Sequence, residues 1–308
     1  MKSKRNGLLE IYRFIICFWP LYYHNFFFWP RDNKTFTVAE LSVDFFFILS
    51  GFFLMRIMRR EKETPVFQGA WRIMFSRVKP MIFTMCFIAA FNFICVALFI
   101  KEDYYNTIHL CFMYWWYVLF LTIAIGVFYL VYRLLKSEKR FVAFLVVLII
   151  TMALVQYGAV EHGMFFQKIV FFARTLACIP VGILLSYIPP IKSKGFNINI
   201  IFVAILILTL LYMAYNEKTF LIRIVMIAMF GALVYFSSNV SFGGKVCDFL
   251  GQLSMRIYLY MGFVTMLYLL GLTNNKVLFV IEVALAVMDT LFGIYRQKYK
   301  QLKAKKET

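Results

Sequence analysis

Arg13, His24 and Asp44 are the residues of this chain on which chemistry could be built. An imidazole that titrates near neutral pH takes up and returns protons, and a carboxylate on its second ring nitrogen orients the ring and raises its basicity. A guanidinium offers several N–H donors to phosphate or carboxylate oxygens. Arg13 and His24 are separated by ten residues within the largely apolar stretch "EIYRFIICFWPLYYHN", Glu10 to Asn25. On an α-helix that spacing brings the two side chains to within about 20° of each other around the axis and roughly 16 Å apart along it. Glu10, Cys17 and Pro20 lie near the same stripe, and a proline inside the helix is expected to kink it.

The element that presents this stripe must sit in lipid. The chain has 308 residues, of which 63% are hydrophobic and 20% aromatic, with a mean hydropathy of +0.78. A soluble domain is usually about 45–50% apolar, so a bilayer is the only solvent that accommodates this surface. Apolar runs of spanning length occur at 8–30, 39–58, 80–100, 108–132, 141–158, 167–188, 197–215, 219–238, 250–272 and 277–295. The reading is therefore an all-α integral membrane protein of about ten transmembrane helices. It forms one membrane-embedded domain over 1–308, with no separate soluble domain. The first helix contains charge and lacks a small-residue cleavage site, so it is not read as a cleaved signal peptide.

The net charge of +18 has its source in the loops. With the N-terminus inside, 23 Lys and Arg fall on inner segments and 6 on outer ones, and Arg13, Arg174, Arg223 and Arg256 lie within spans, which accounts for all 33. That is the positive-inside bias of a membrane protein with both termini cytoplasmic, and it removes any need for a nucleic-acid partner. The six cysteines have no CxxC spacing, so neither a disulfide framework nor a metal site is expected.

The second span folds back on the first about a connection centred near residue 34. His24 then lies level with Asp44 of "SVDFFFILSG", and Arg13 level with Met55 and Arg56, which makes a basic inner mouth. Ionisable groups inside a span are costly and usually face a cavity or a partner. Each also has a plainer reading: His24 as an interfacial residue, Arg13 snorkelling to headgroups, and Asp44 as a helix N-terminal charge.

These residues resemble the acyltransferase-3 family of integral membrane O-acyltransferases. "LEIYRFIICFWPLYYH" is similar to its first helix, with an Arg–x10–His pair, and "VDFFFILSGFFLMR" (Val43–Arg56) to its second-helix Asp-x-Phe-Phe-x-x-Ser-Gly-Phe. "RVKP" (Arg77–Pro80), "WWYVLFL" (Trp115–Leu121) and "FLGQLSMRIYLYM" (Phe249–Met261) look like later motifs in the same order. Two positions depart from the family pattern. Met74 stands where a second basic residue is common, and Met261 where a histidine is.

The resemblance implies transfer of an acyl group, most simply acetyl, from cytoplasmic acyl-CoA to a hydroxyl of a cell-surface or lipid-linked polysaccharide, at a bacterial plasma membrane. His24 would be the base or the acyl carrier, Asp44 its orienting carboxylate, and Arg13, Arg56 and Arg77 the phosphate partners. Ser50 would support the oxyanion. Trp115, Trp116 and Tyr117 would stack on sugar or form an interfacial aromatic belt. Acetyl-CoA enters as donor substrate and no permanently bound cofactor is expected. A multi-pass transporter or flippase for a glycan or small metabolite is the competing reading, because midplane charges suit a carrier as well. Consumption of acetyl-CoA with release of free CoA separates the two.

Overall fold

The computed structural model describes residues 6–25, 33–100, 115–162, 167–189, 198–216, 220–238, 240 and 243–306. Among these are eleven α-helices and no strands: α1 (Gly7–Asn25), α2 (Asn33–Arg60), α3 (Val66–Val78), α4 (Ile82–Cys95), α5 (Trp116–Leu135), α6 (Glu138–His162), α7 (Gln167–Leu185), α8 (Ile198–Asn216), α9 (Phe220–Ser238), α10 (Lys245–Leu269) and α11 (Asn275–Lys306). A π-helical turn, Val96–Ile100, continues α4. Only helices, which satisfy their own backbone hydrogen bonds, suit such apolar segments in lipid. Six helical stretches are long and apolar enough to cross a membrane: 39–60, 82–99, 117–135, 138–158, 221–238 and 275–296. Phe171–Leu185 and Asn199–Met213 are shorter apolar helices.

Local signals set several boundaries. Asn6 caps α1, its Oδ1 accepting from the N–H groups of Leu8 (3.1 Å) and Leu9 (3.2 Å), as N-cap side chains do. Asn274 does the same for α11. Lys136 takes a positive φ of 51° in the tight turn between α5 and α6. Helix α3 is absent from the sequence reading, which leaves residues 59–79 as a cytoplasmic connection. Its 13 residues are too few for a span, and its basic residues resemble a loop.

Two compact units emerge. The first contains α1, α4, α10 and α11, and the second α2, α3 and α5 to α9. In the first, α1 and α10 run in the same direction, Gly7 lying by Cys247 and Glu10 by Gly251. The rings of Phe91 on α4 and Phe263 on α10 pack at 4.4 Å, and Asn92 donates to the Gly262 carbonyl at 3.4 Å.

In the second unit, α2 and α7 approach backbone to backbone. A side chain at Gly51 would meet the Ile179 carbonyl, and one at Gly182 would meet the Ile48 carbonyl and the Phe52 amide. Such close contact through small residues is the usual way in which helices associate where the solvent itself is apolar. Phe45, Phe47 and Ile48 on α2 and Phe230 on α9 are wholly or almost wholly buried around it.

Gly182 and Gly158 therefore respond oppositely to alanine. Gly182→Ala forces two backbones apart and is expected to cost about 1–3 kcal/mol. Gly158, with open space around its Cα, should gain about 0.5–1 kcal/mol from helix propensity. Thermal unfolding in detergent should show Tm falling in the first variant and rising in the second.

Candidate active site

Helix α1 is continuous from Gly7 to Asn25 and passes through Pro20 without a break. Arg13 and His24 thus stand on one helix with the spacing that the sequence requires. Arg13 is fixed: its Nη1 donates to Glu10 Oε2 at 2.9 Å, and both side chains are mostly buried. The space for the Glu10 carboxylate comes from Gly251 on α10, where any β-carbon would overlap it. Ser254, one turn on, donates its hydroxyl to the Gly251 carbonyl at 2.9 Å. The Gly of "LGQLS" thereby acquires a physical role in placing Arg13. The side chain of His24 lies outside the described residues.

Cys17, on the same stripe, is buried and lies within electrostatic reach of Arg13 and of Glu282 on α11. Glu282 is fully buried in the middle of an apolar helix. A second charged group in this unit joins three helices: Arg256 Nε lies 3.2 Å from Asp289 Oδ2, which also accepts from the Thr84 hydroxyl at 2.6 Å. Glu282, Asp289 and Thr84 did not enter the sequence reading. Their only signal there is polarity within an apolar run.

Asp44 is the centre of the second unit's polar cluster. It is fully buried, as is Arg174 of α7, whose Nε donates to Asp44 Oδ1 at 3.0 Å. Arg174 Nη1 donates to Glu40 Oε1 at 2.8 Å, and its Nη2 donates to the Glu40 backbone carbonyl. Arg223 of α9 approaches Asp44 Oδ2 at 3.4 Å. Two carboxylates and two guanidiniums thus form a neutral set. Three helices are locked through one carboxylate, and each hydrogen bond is stronger for its charge and burial.

The remaining sequence candidates are dispersed. Ser50 is half-buried on α2 beside Gly51, and Arg56 is exposed near that helix's C-terminal end. Arg77 occupies the last turn of α3. Trp115 and Tyr117 are buried. Tyr117 packs on Phe47, ring centroids 4.8 Å apart, and on Phe46 at 6.2 Å, so it serves the core of its unit. The side chain of Trp116 lies outside the described residues. Arg174 and Arg223 are the partners that the sequence reading did not place on Asp44.

Removing one member of a buried ion pair leaves the other charge stranded, at about 3–5 kcal/mol. Arg174→Met should therefore lower the unfolding temperature in detergent strongly. Combining it with Asp44→Asn should restore part of the loss, because the stranded carboxylate is gone.

A family model described as an acyltransferase domain matches residues 7–295. No curated protein and no solved structure matches the chain. The family match runs from the first residue of α1 into the body of α11 and takes in the helices that carry Arg13, His24, Asp44 and Gly251. This chain belongs to the acyltransferase-3 family of membrane acyltransferases.

Proposed function

We propose that this protein is a membrane O-acyltransferase that moves an acyl group, most simply acetyl, from cytoplasmic acyl-CoA to a hydroxyl of a cell-surface or lipid-linked polysaccharide. The observation that carries the reading is α1: one helix, with a buried, carboxylate-held Arg13 near one end and His24 near the other. The chain crosses the plasma membrane about ten times, with both termini cytoplasmic. In support, helices fall on each of the ten apolar stretches of the sequence. The first and ninth spans (α1 and α10) run in the same direction, as do the second and sixth (α2 and α7, Asp44 lying by Arg174 and Met55 by Tyr187), which is in keeping with that count.

The chemistry needs a cation for the donor's phosphates and a base for the acceptor's hydroxyl, separated by the length of the donor's arm. Arg13 uses one guanidinium N–H on Glu10 and keeps further donors for phosphate oxygens. Arg56 and Arg77 add charge for the same anion. His24 takes the hydroxyl proton as the oxygen attacks the thioester carbonyl. The C–S bond then breaks, and the CoA thiolate takes a proton on leaving. Asp44 and the helix hydroxyl of Ser50 provide the polar surroundings in which the imidazolium and the oxyanion form.

Two measurements test this. His24→Ala should abolish release of free CoA from acetyl-CoA by the purified protein, with helix content and detergent elution unchanged. Turnover at the parent rate in that variant refutes the mechanism. Arg13→Ala removes a charged hydrogen bond worth about 1.5–3 kcal/mol. It should raise KM for acyl-CoA by about 10- to 100-fold, with a smaller change in kcat.

A further inference from the structure

We infer that α3 is a membrane-embedded half-helix: it runs into the bilayer alongside α5, turns an aromatic face to lipid acyl chains, and brings Arg77 to mid-depth. The sequence reading has this segment in the cytoplasm and the family match assigns it no position; the proposed reaction uses Arg77 for the donor's phosphates but gives it no depth.

The direction comes from contacts within the second unit. Gly69 faces the Tyr129 hydroxyl, and Met74 lies on Gly126. As residue numbers on α3 rise from 69 to 74, those on α5 fall from 129 to 126, so the helices are antiparallel. The buried face of α3, Gly69, Ala70 and Ile73, has the spacing of one helical stripe. A helix lying flat on the membrane surface would meet α5 at one level only.

The start of α3 is tied to the C-terminal end of α5. Arg133 Nη1 donates to the carbonyls of Glu61 (3.2 Å) and Thr64 (2.7 Å), and the Tyr129 hydroxyl donates to the Glu61 carbonyl at 2.9 Å. That end of α5 closes an apolar stretch of spanning length, 117–135, and leads into "KSEKR", so it marks a membrane surface. Continuing the register places Arg77 opposite about residue 123, roughly 15 Å from the level of Arg133 and near the middle of α5.

The other face of α3 fits that depth. Phe67 is 82% exposed, Trp71 68% and Phe75 42%. They recur every fourth residue and so share one side, and the Trp71 and Phe75 rings stack at 6.3 Å. Gln68, Arg72 and Ser76 are exposed beside these rings, and Arg72 turns back to Glu61 Oε2 at 3.2 Å; lipid acyl chains are the occupant consistent with the aromatic strip itself, beside a membrane-spanning helix. Irregular backbone at mid-depth is tolerated where it is buried in protein or lines a polar cavity. Lys79 and Pro80, just past α3, are exposed, which fits the polar cavity of the two; the Lys79 N–H bonds to the Phe75 carbonyl at 2.8 Å, Pro80 has no N–H to leave unpaired, and Nε and Nη2 of Arg77 are buried. A substrate anion served by Arg77 would therefore have to reach the middle of the bilayer.

The inference needs only that α5 spans, so it can fail while acyl transfer stands. The test uses the full chain with its native cysteines changed to alanine, in phosphatidylcholine–phosphatidylglycerol vesicles. Phe67→Cys, Trp71→Cys and Phe75→Cys each carry a nitroxide. The ratio of oxygen to nickel-chelate collisions should rise stepwise from 67 to 75, with a depth difference approaching about 12 Å. Equal shallow depths would mean a surface helix, high nickel access at all three a watery face, and low collision with both reagents a protein-covered face. Each of these overturns the inference. If the cysteine-free chain does not insert, Trp71→Phe in the parent serves instead. The emission lost in that variant should be quenched more by lipids brominated near the chain end than near the headgroup, and the reverse order overturns the inference.

Discussion

The ion pair between Asp44 and Arg174 is the interaction on which the second unit depends. Both side chains are wholly buried, and neither charge is tolerable there alone. Arg174 reaches Asp44 and Glu40 only because α2 and α7 touch backbone to backbone at Gly51 and Gly182. The Asp and the Gly of the second-helix motif are thus parts of one device. The Gly sets the helix spacing, the Asp uses it, and Arg223 on α9 adds a third helix to the same carboxylate.

The first unit repeats the logic with different residues. Gly251 makes room for Glu10, and Glu10 holds Arg13. Arg256, Asp289 and Thr84 tie α10, α11 and α4. In lipid the hydrophobic effect does not drive helices together, so small residues and polar contacts must do so. In the first unit a glycine seats a carboxylate, and in the second two glycines let helix backbones meet. A glycine in the family's motifs reads less as a flexible point than as a vacancy of defined shape.

This explains what was legible beforehand. Helix existence came from long apolar runs, and α2, α6, α9 and α11 fall where the runs lie. The Arg13–His24 spacing needed only helical periodicity. Pairings were not legible. Glu10, Glu40, Asp44, Glu282 and Asp289 are all acidic residues in or beside apolar helices, and four arginines lie within spans. Nothing in residue order decides which meets which. The estimate of depth from the first connection put Asp44 level with His24, but it carried no information about α7 or α9. Helix α3 was missed for another reason: its lipid-facing aromatics and buried small residues give a helical stripe, but its length and basic residues match the expectation for a loop.

Asp44 thus answers to two demands. As a structural group it accepts from Arg174 on one oxygen and meets Arg223 on the other. As the orienter of an imidazole it would also have to offer a lone pair to an N–H. A carboxylate has about four acceptor sites, and two guanidinium contacts leave capacity for a third donor. The same pairing that closes the helix packing thus leaves Asp44 an acceptor site for the orienting role proposed for it.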